Sequence, residues 1–437
     1  MAVLFVLFIT FAALGIGEQQ RVFFARGNDM FADSVKMMRD YIGGPGPYHT
    51  AENDPGMGLD PSTRGSYLPI AFLLYQGMWR ISGGEDSTTE TRLLTAMFVS
   101  FAMFFMLEYA LALLMRGLPG RRKLHICMAL AVTGVALFTV ERGNFITLTV
   151  LLCTLFIGFY RSENRVQREL SFLALALAAA LKAVPALLGL MLLFERRWKE
   201  AVRLLLYGAV LAFLPFICFD GGFSNLKIML SDVNSASGLM VAQIHEVRFG
   251  LDYIAQMFNR VQEAYGGAEG LKWLNTMASW MRGVLPEADY IVGGLLVVTV
   301  PFQKQPWKKW CALLLLFLLP QNNGTYSALY LFPAIVLFLT QREWRRMDAV
   351  YGLLFLCILS PLQYCVHFPQ IVYAMTGKEL IINHMAIYRS IALVLLMALL
   401  AVDQTVAAAK WMLLRWKQHR NVSLQIRHAD SEKIKDS

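Results

Sequence analysis

What most constrains this chain is the recurrence, from end to end, of apolar runs of about 15 to 25 residues, each closed by a short basic connector. A helix rising ~1.5 Å per residue needs about 20 such residues to cross a ~30 Å hydrocarbon core. The runs are too long and continuous for outer-membrane strands, which alternate apolar and polar positions. With 437 residues, 57% hydrophobic and 16% charged, and a mean hydropathy of +0.48, the chain is also too apolar for a soluble globule of its size. The expected fold class is all-α: a polytopic helical membrane protein.

The net charge of +9 does not indicate a nucleic-acid partner, because the Lys and Arg residues cluster between apolar runs. The clusters are "RGLPGRRK" from Arg116, "RSENRVQR" from Arg161, "ERRWKEAVR" from Glu195, "QKQPWKK" from Gln303, "QREWRR" from Gln341 and the tail after Lys410. The positive-inside rule places them in the cytoplasm. Spans are then expected near 2–17, 93–115, 124–140, 145–160, 204–219, 288–302, 309–320, 325–340, 348–366 and 384–403, with a further pair in 169–194. That pair has basic residues at both ends, so it enters and returns from the same side as a hairpin, with Lys182 and Pro185 at its bend. "YLPIAFLLYQGMW", Tyr67 to Trp79, is laid on the outer surface, since a crossing there would put Arg116 outside.

The result is one membrane domain over 1–409 with about twelve crossings, outer loops at 18–92 and 220–287, and a basic cytoplasmic tail at 410–437 expected to be disordered. Both termini fall in the cytoplasm. The first segment lacks a basic n-region and a cleavage site and is read as an uncleaved helix, which with the basic clusters favours a bacterial inner membrane. The six cysteines show no CxxC spacing and are read as packing residues, with no metal site expected.

Four polar features fall on the outer side by this threading. "NDMFADSVKMMRDY" sets Asp29 and Asp33 four residues apart on an interfacial helix, where Asp29 could simply cap the helix and Asp33 be solvated. "ERGN" puts Arg142 and Asn144 between two crossings with hardly any loop; the guanidinium there needs Glu141, a lipid headgroup or a bound anion. Lys182 interrupts an uncharged run and calls for either a carboxylate on a neighbouring helix or a phosphate. "PQNNGTY" supplies Asn322, Asn323 and Tyr326 in another outer turn, while His49, Tyr67, His245 and Arg248 lie on the two outer loops. A basic, Asn-rich pocket at a membrane edge with a carboxylate above it suits a lipid-linked phosphate substrate.

The ordered set "GNDMF", "GPYHT", "GSYLPIAFLLY", "ERGN" and "ALKAVPALLGLMLLFERRWKEA" resembles glycosyltransferase family 87 of the GT-C superfamily over roughly residues 1–345. The best-known members of that family are mannosyltransferases that take sugar from a polyprenyl-phosphate donor outside the cytoplasm. The resemblance implies a GT-C-like fold and assigns Asp29 the role of catalytic base, with Asp33 as alternate, in the place of the family's Asp-Phe-x-x-Tyr element. Tyr67 and Pro69 match its following Tyr and Pro segment. Arg142, Gly143 and Asn144 match a shortened Arg-Gly-Gln-x-Asn turn, and Lys182 with Pro185 matches a Lys-Pro-x-Pro element whose nearer Pro is Ala183 here. The family's Ser-Pro-x-Ser-Trp stretch with following His appears as "LPQNNGTYSALYLFP", without the His, so Asn322, Asn323 or Tyr326 takes its place.

The function so implied is an inverting transfer of a sugar, mannose or another hexose or pentose, from a polyprenyl-phosphate donor to a lipid-linked or envelope glycan acceptor on the non-cytoplasmic face. Donor phosphate would lie on Arg142, Asn144 and Lys182, and neither a cofactor nor a metal is required, since the leaving group is a phosphomonoester. The expected partners are that donor, the glycan or glycolipid acceptor and membrane lipid. Two rivals make different demands. An envelope-glycan polymerase or ligase using polyprenyl-diphosphate substrates would depend on His245 and Arg248 rather than Asp29. A transporter would carry its ionisable groups near mid-membrane, with internal repeats or broken helices.

Overall fold

The structure is a computed structural model and describes residues 31–42, 48, 67–231, 272–319, 325–360, 371–375, 378–382 and 384–435. It is helical almost throughout. Helix α1, Ala32–Lys36, runs into a π-helical turn, Met37–Ile42. Helix α2 spans Pro69–Ile81 and begins with a proline, whose missing N–H is one that a first turn leaves unpaired anyway. Thirteen residues rise only about 20 Å, too little to cross a bilayer, and the Ala71, Phe72, Tyr75 and Met78 stripe packs inward. That agrees with the non-crossing placement of Tyr67 to Trp79.

Helix α3, Thr89–Leu114, is opened by a reciprocal cap in which the Thr91 N–H donates to Thr88 Oγ1 (3.3 Å) and the Thr88 N–H to Thr91 Oγ1 (3.0 Å). Helices α4, Gly120–Ala131, and α5, Gly134–Arg142, form a pair bent by 65°, with the Thr133 hydroxyl capping the second. Helix α6 is Ile146–Phe159. Helix α7, Arg165–Leu181, starts at Asn164, whose side-chain oxygen accepts from the N–H groups of Val166 (2.9 Å) and Gln167 (3.3 Å). It stops where Lys182 turns extended (φ −146°, ψ 122°); Pro185, without an N–H, cannot continue it, and a 3₁₀ turn, Val184–Gly189, leads to the short α8, Leu190–Phe194. The break therefore falls at the predicted bend, but the return arm is a turn and five residues of helix rather than a second full helix. Helix α9, Trp198–Phe213, continues as a 3₁₀ turn to Cys218.

Helices α10, Lys272–Thr299, α11, Pro306–Leu315, α12, Phe332–Leu339, and α13, Arg346–Leu359, build the second half. An antiparallel hairpin of β1, Ile371–Met375, and β2, Lys378–Ile382, pairs Ile371 with Ile382 and Met375 with Lys378. It departs from a purely all-α expectation. Its Ile, Val and Tyr residues favour extended backbone. The last helix, α14, spans His384–Lys435. Residues 410–435 of the tail expected to be disordered continue this helix, and no Gly or Pro interrupts 384–435.

Among the described residues three helices are long and apolar enough to cross a membrane, Thr89–Leu114, Trp198–Cys218 and Tyr388–Gln418, and a fourth if the bent α4–α5 pair counts as one span. Their length and apolarity are those of a membrane protein. The figure of about twelve is not confirmed by the described residues. The runs at 309–320 and 325–340 carry 3₁₀ turns beside their helices, and α6, at 14 residues, is short.

Helix α6 packs between α3 and α7, and α7 packs on α9, around buried Leu107, Cys153, Phe156, Phe172 and Ala178. At the other end, α14 is docked on α10, α11 and α13 by a partly buried polar network. Lys308 pairs with Asp403 and lies over the rings of Trp307 and Tyr351. Thr299 Oγ1 donates to Gln404 Oε1 (2.7 Å), and Gln404 Nε2 donates to the Lys308 carbonyl (3.3 Å).

Candidate functional site

The site grows from the reversal at Gly143. Helix α5 ends there in left-handed backbone (φ 63°, ψ 33°), with the Gly143 N–H returning to the Val140 carbonyl at 3.1 Å. The reversal separates Arg142 from Asn144 by a single residue and lets both reach one carboxylate. Asn144 is also tied from below, since its Oδ1 accepts the Ile146 N–H (3.0 Å) at the start of α6.

The carboxylate is Asp33. Arg142 Nη2 pairs with its Oδ1, and Asn144 Nδ2 donates to its Oδ2 at 2.9 Å. The two charged side chains are about four-fifths buried, with 19% of Asp33 and 20% of Arg142 exposed. A backbone clasp holds α1 in place. The Phe31 N–H donates to the Glu141 carbonyl (2.5 Å), and the Ser34 hydroxyl donates to the Gly143 carbonyl. Phe31 itself is buried and left-handed (φ 56°), a conformation uncommon for an aromatic residue.

Lys182 enters from the α7 break. Its Nζ lies 5.6 Å from the centroid of the Tyr326 ring, which stacks on Phe138 with centroids 6.1 Å apart and planes 8° from parallel. Asp33 acts electrostatically on Lys182, and Asp33, Tyr67 and Tyr326 all act on the buried Tyr75 hydroxyl, so these groups form one neighbourhood. Tyr75 packs on Phe145 with ring centroids 4.3 Å apart. Tyr67 is held at the rim, where its carbonyl accepts from the Tyr48 hydroxyl (3.2 Å) and its ring meets Phe72.

The structure therefore gathers Asp33, Arg142, Asn144, Lys182, Tyr67 and Tyr326. Arg142 pairs with Asp33 rather than through a Glu141 side-chain contact alone, and Asp33 is bonded rather than merely solvated. Asp29, His49, His245, Arg248, Asn322 and Asn323 lie outside the described residues. Among the described residues no group of three His, Cys, Asp or Glu could hold a metal ion. Sequence reasoning missed Phe31 and Ser34, which carry no polar periodicity to betray the clasp, and Tyr75, whose signal was a tyrosine within the inward stripe of α2.

An apposed carboxylate, guanidinium, amide and ammonium can hold an anion, orient a hydroxyl and take up its proton. No curated protein and no solved structure matches the chain. A sequence model of glycosyltransferase family 87 matches residues 88–361, more than half of the chain, including Arg142, Asn144, Lys182 and Tyr326 but not α1. The chain belongs to glycosyltransferase family 87.

Proposed function

We propose that the protein transfers one sugar from a polyprenyl monophosphate donor to a hydroxyl of a lipid-linked or envelope glycan, with inversion, on the non-cytoplasmic face of the membrane. The observation that carries this reading is the convergence of Asp33, Arg142 and Asn144, with Lys182 beside them, in a chain of this family. The acceptor oxygen attacks the anomeric carbon as the bond from that carbon to the phosphate oxygen breaks. The phosphate leaves with the electron pair, and the acceptor proton passes to a carboxylate. Lys182 and Arg142 stabilise the charge that grows on the departing phosphate, and Asn144 orients it. The step is written without a metal because a phosphomonoester leaves with a charge that two cationic side chains would balance.

In this proposal Asp29 takes the proton, as the resemblance implies, and Asp33 positions Arg142. A second reading makes Asp33 the base, and its placement against Arg142 and Asn144 favours it. Both variants, Asp29→Asn and Asp33→Asn, are to be assayed for donor consumption in membranes. Loss of a general base costs about 10²- to 10⁴-fold. If Asp29→Asn loses that much while Asp33→Asn mainly weakens donor binding, Asp29 is the base. Full activity in Asp29→Asn with collapse in Asp33→Asn transfers the role to Asp33, and accumulation of a solute without sugar transfer would sink the whole reading.

A further inference from the structure

At the opposite ends of α6 and α7 from Asp33, a cavity of about 660 Å³ opens between the two basic connectors 116–123 and 161–168. Together these connectors hold seven Lys and Arg residues against the single acid Glu163. The cavity is amphipathic. Leu113 and Phe159 form its apolar wall, and Arg116, Lys123, Arg161 and Glu163 stand around its polar part.

The three cations are not equivalent. Arg161 is already neutralised by Glu195, to which its Nε donates at 3.1 Å. Arg116 spends one N–H on the Gly158 carbonyl (2.9 Å) and lies 5.4 Å from the Phe159 ring centroid, which fixes the guanidinium at the border of the apolar wall. Neither Arg116 nor Lys123 has a carboxylate partner among the described residues. Lys123 sits in the first turn of α4, a helix whose N-cap, Pro119, gives no side-chain cap, so the positive end of that helix adds to the local field. Two cations left without counter-ions beside an apolar wall at the end of α3, a helix long and apolar enough to cross a membrane, fit a ligand that is anionic at one end and apolar at the other.

We propose that this cavity binds the phosphate headgroup of an anionic membrane lipid, with the phosphate on Arg116 and Lys123 and the first acyl carbons against Leu113 and Phe159. The site is separate from the Asp33 cluster and does not depend on the transfer reaction. It would anchor the α3–α4 and α6–α7 connectors to one leaflet.

The test is native mass spectrometry of the full chain released from mixed micelles holding equal phosphatidylglycerol and phosphatidylcholine. The wild type is expected to retain phosphatidylglycerol over phosphatidylcholine by at least about tenfold, a ratio within reach of two charge-assisted contacts. An Arg116→Gln/Lys123→Gln variant should fall to near parity, whereas Arg196→Gln/Lys199→Gln, which removes two exposed charges elsewhere, should keep the preference. The comparison of two lipids on the wild type needs no variant to fold. Equal retention by the wild type, unchanged preference in the Arg116/Lys123 variant, or complete displacement of the lipid by excess inorganic phosphate would each overturn the proposal. Since the readout is lipid retention, an error in the transfer reading leaves this result untouched.

Discussion

At Gly143 the backbone is left-handed (φ 63°), and a Cβ built there would lie 3.2 Å from both Cα and Cβ of Phe31, so two separate costs face any substitution. The left-handed conformation alone costs an L residue about 1–2 kcal/mol. The second cost is local, because the atom in the way is backbone and cannot swing aside like the tip of a long side chain. Gly143→Ala should therefore push α1 off the α5–α6 turn, breaking the Phe31 and Ser34 clasp and separating Asp33 from Arg142. The expected outcome is a lowered unfolding midpoint in detergent together with a loss of donor turnover larger than the loss of folded protein. A variant that matches wild type in both measurements would remove the clasp from the site. The "ERGN" tetrapeptide was legible as a tight turn carrying a cation in need of a partner. Its actual partner was not, because Asp33 lies 109 residues away and pairing over that separation leaves no local pattern.

The elements around the site were legible in proportion to how locally their ends are coded. The Lys182 to Pro185 break is written in neighbouring residues and was read from them, whereas the caps Thr88 and Asn164 start α3 and α7 ahead of the expected spans at 93 and 169, because hydropathy does not mark a polar first turn. The clamp that ties the end of α6 to the start of α9 is not coded in this way, since it joins two connectors. Tyr160 Oη donates to Glu195 Oε1 at 2.8 Å, Arg161 Nε donates to the same oxygen, and Arg197 Nη2 donates to the Tyr160 carbonyl at 2.9 Å. Burial pushes the Glu195 carboxyl up, but hydrogen bonds from Arg161 and Tyr160 and the charges of Arg161 and Arg197 outweigh it and hold the group below the ordinary carboxylate value. A carboxyl lowered in the folded state contributes stability that is complete above its unfolded pKa of ~4.3 and is lost as pH falls through the lower folded value. Between pH 6 and pH 3 the wild-type unfolding midpoint should fall, and Glu195→Gln should start lower at pH 6 and decline less. Parallel acid limbs for the two proteins would show that the clamp contributes nothing to folding.

For the molecule as a whole, the antiparallel neighbours α6 and α7 define two polar layers. Each runs between Asn144 or Lys182 at one end and Tyr160 or Asn164 at the other. At ~1.5 Å per residue they rise about 21 and 26 Å, so α6, like α2, falls short of a ~30 Å hydrocarbon core by itself, while the two ends of the pair still lie well apart. One layer then holds the Asp33 cluster and the other holds the basic connectors and the Glu195 clamp. Charge clustering in the sequence set these connectors apart from Arg142 and Lys182, and the helix pair holds the two groups at opposite ends; the side of the membrane that each faces is an expectation of the positive-inside rule. The number of crossings is not confirmed among the described residues, since hydropathy does not distinguish a straight span from a helix broken by a 3₁₀ turn or a short helix packed inside the bundle. The two-layer arrangement predicts how introduced cysteines react. In a chain whose six native cysteines are serine, Ala183→Cys and Val166→Cys each place one thiol at an exposed position, next to Lys182 and in the first turn of α7 respectively. A membrane-impermeant maleimide added to intact cells should modify the cysteine at 183 and spare that at 166 until the membrane is opened. Modification of both from the same side would mean that α7 does not carry the chain across, and the Asp33 cluster would then face the compartment that holds the basic connectors.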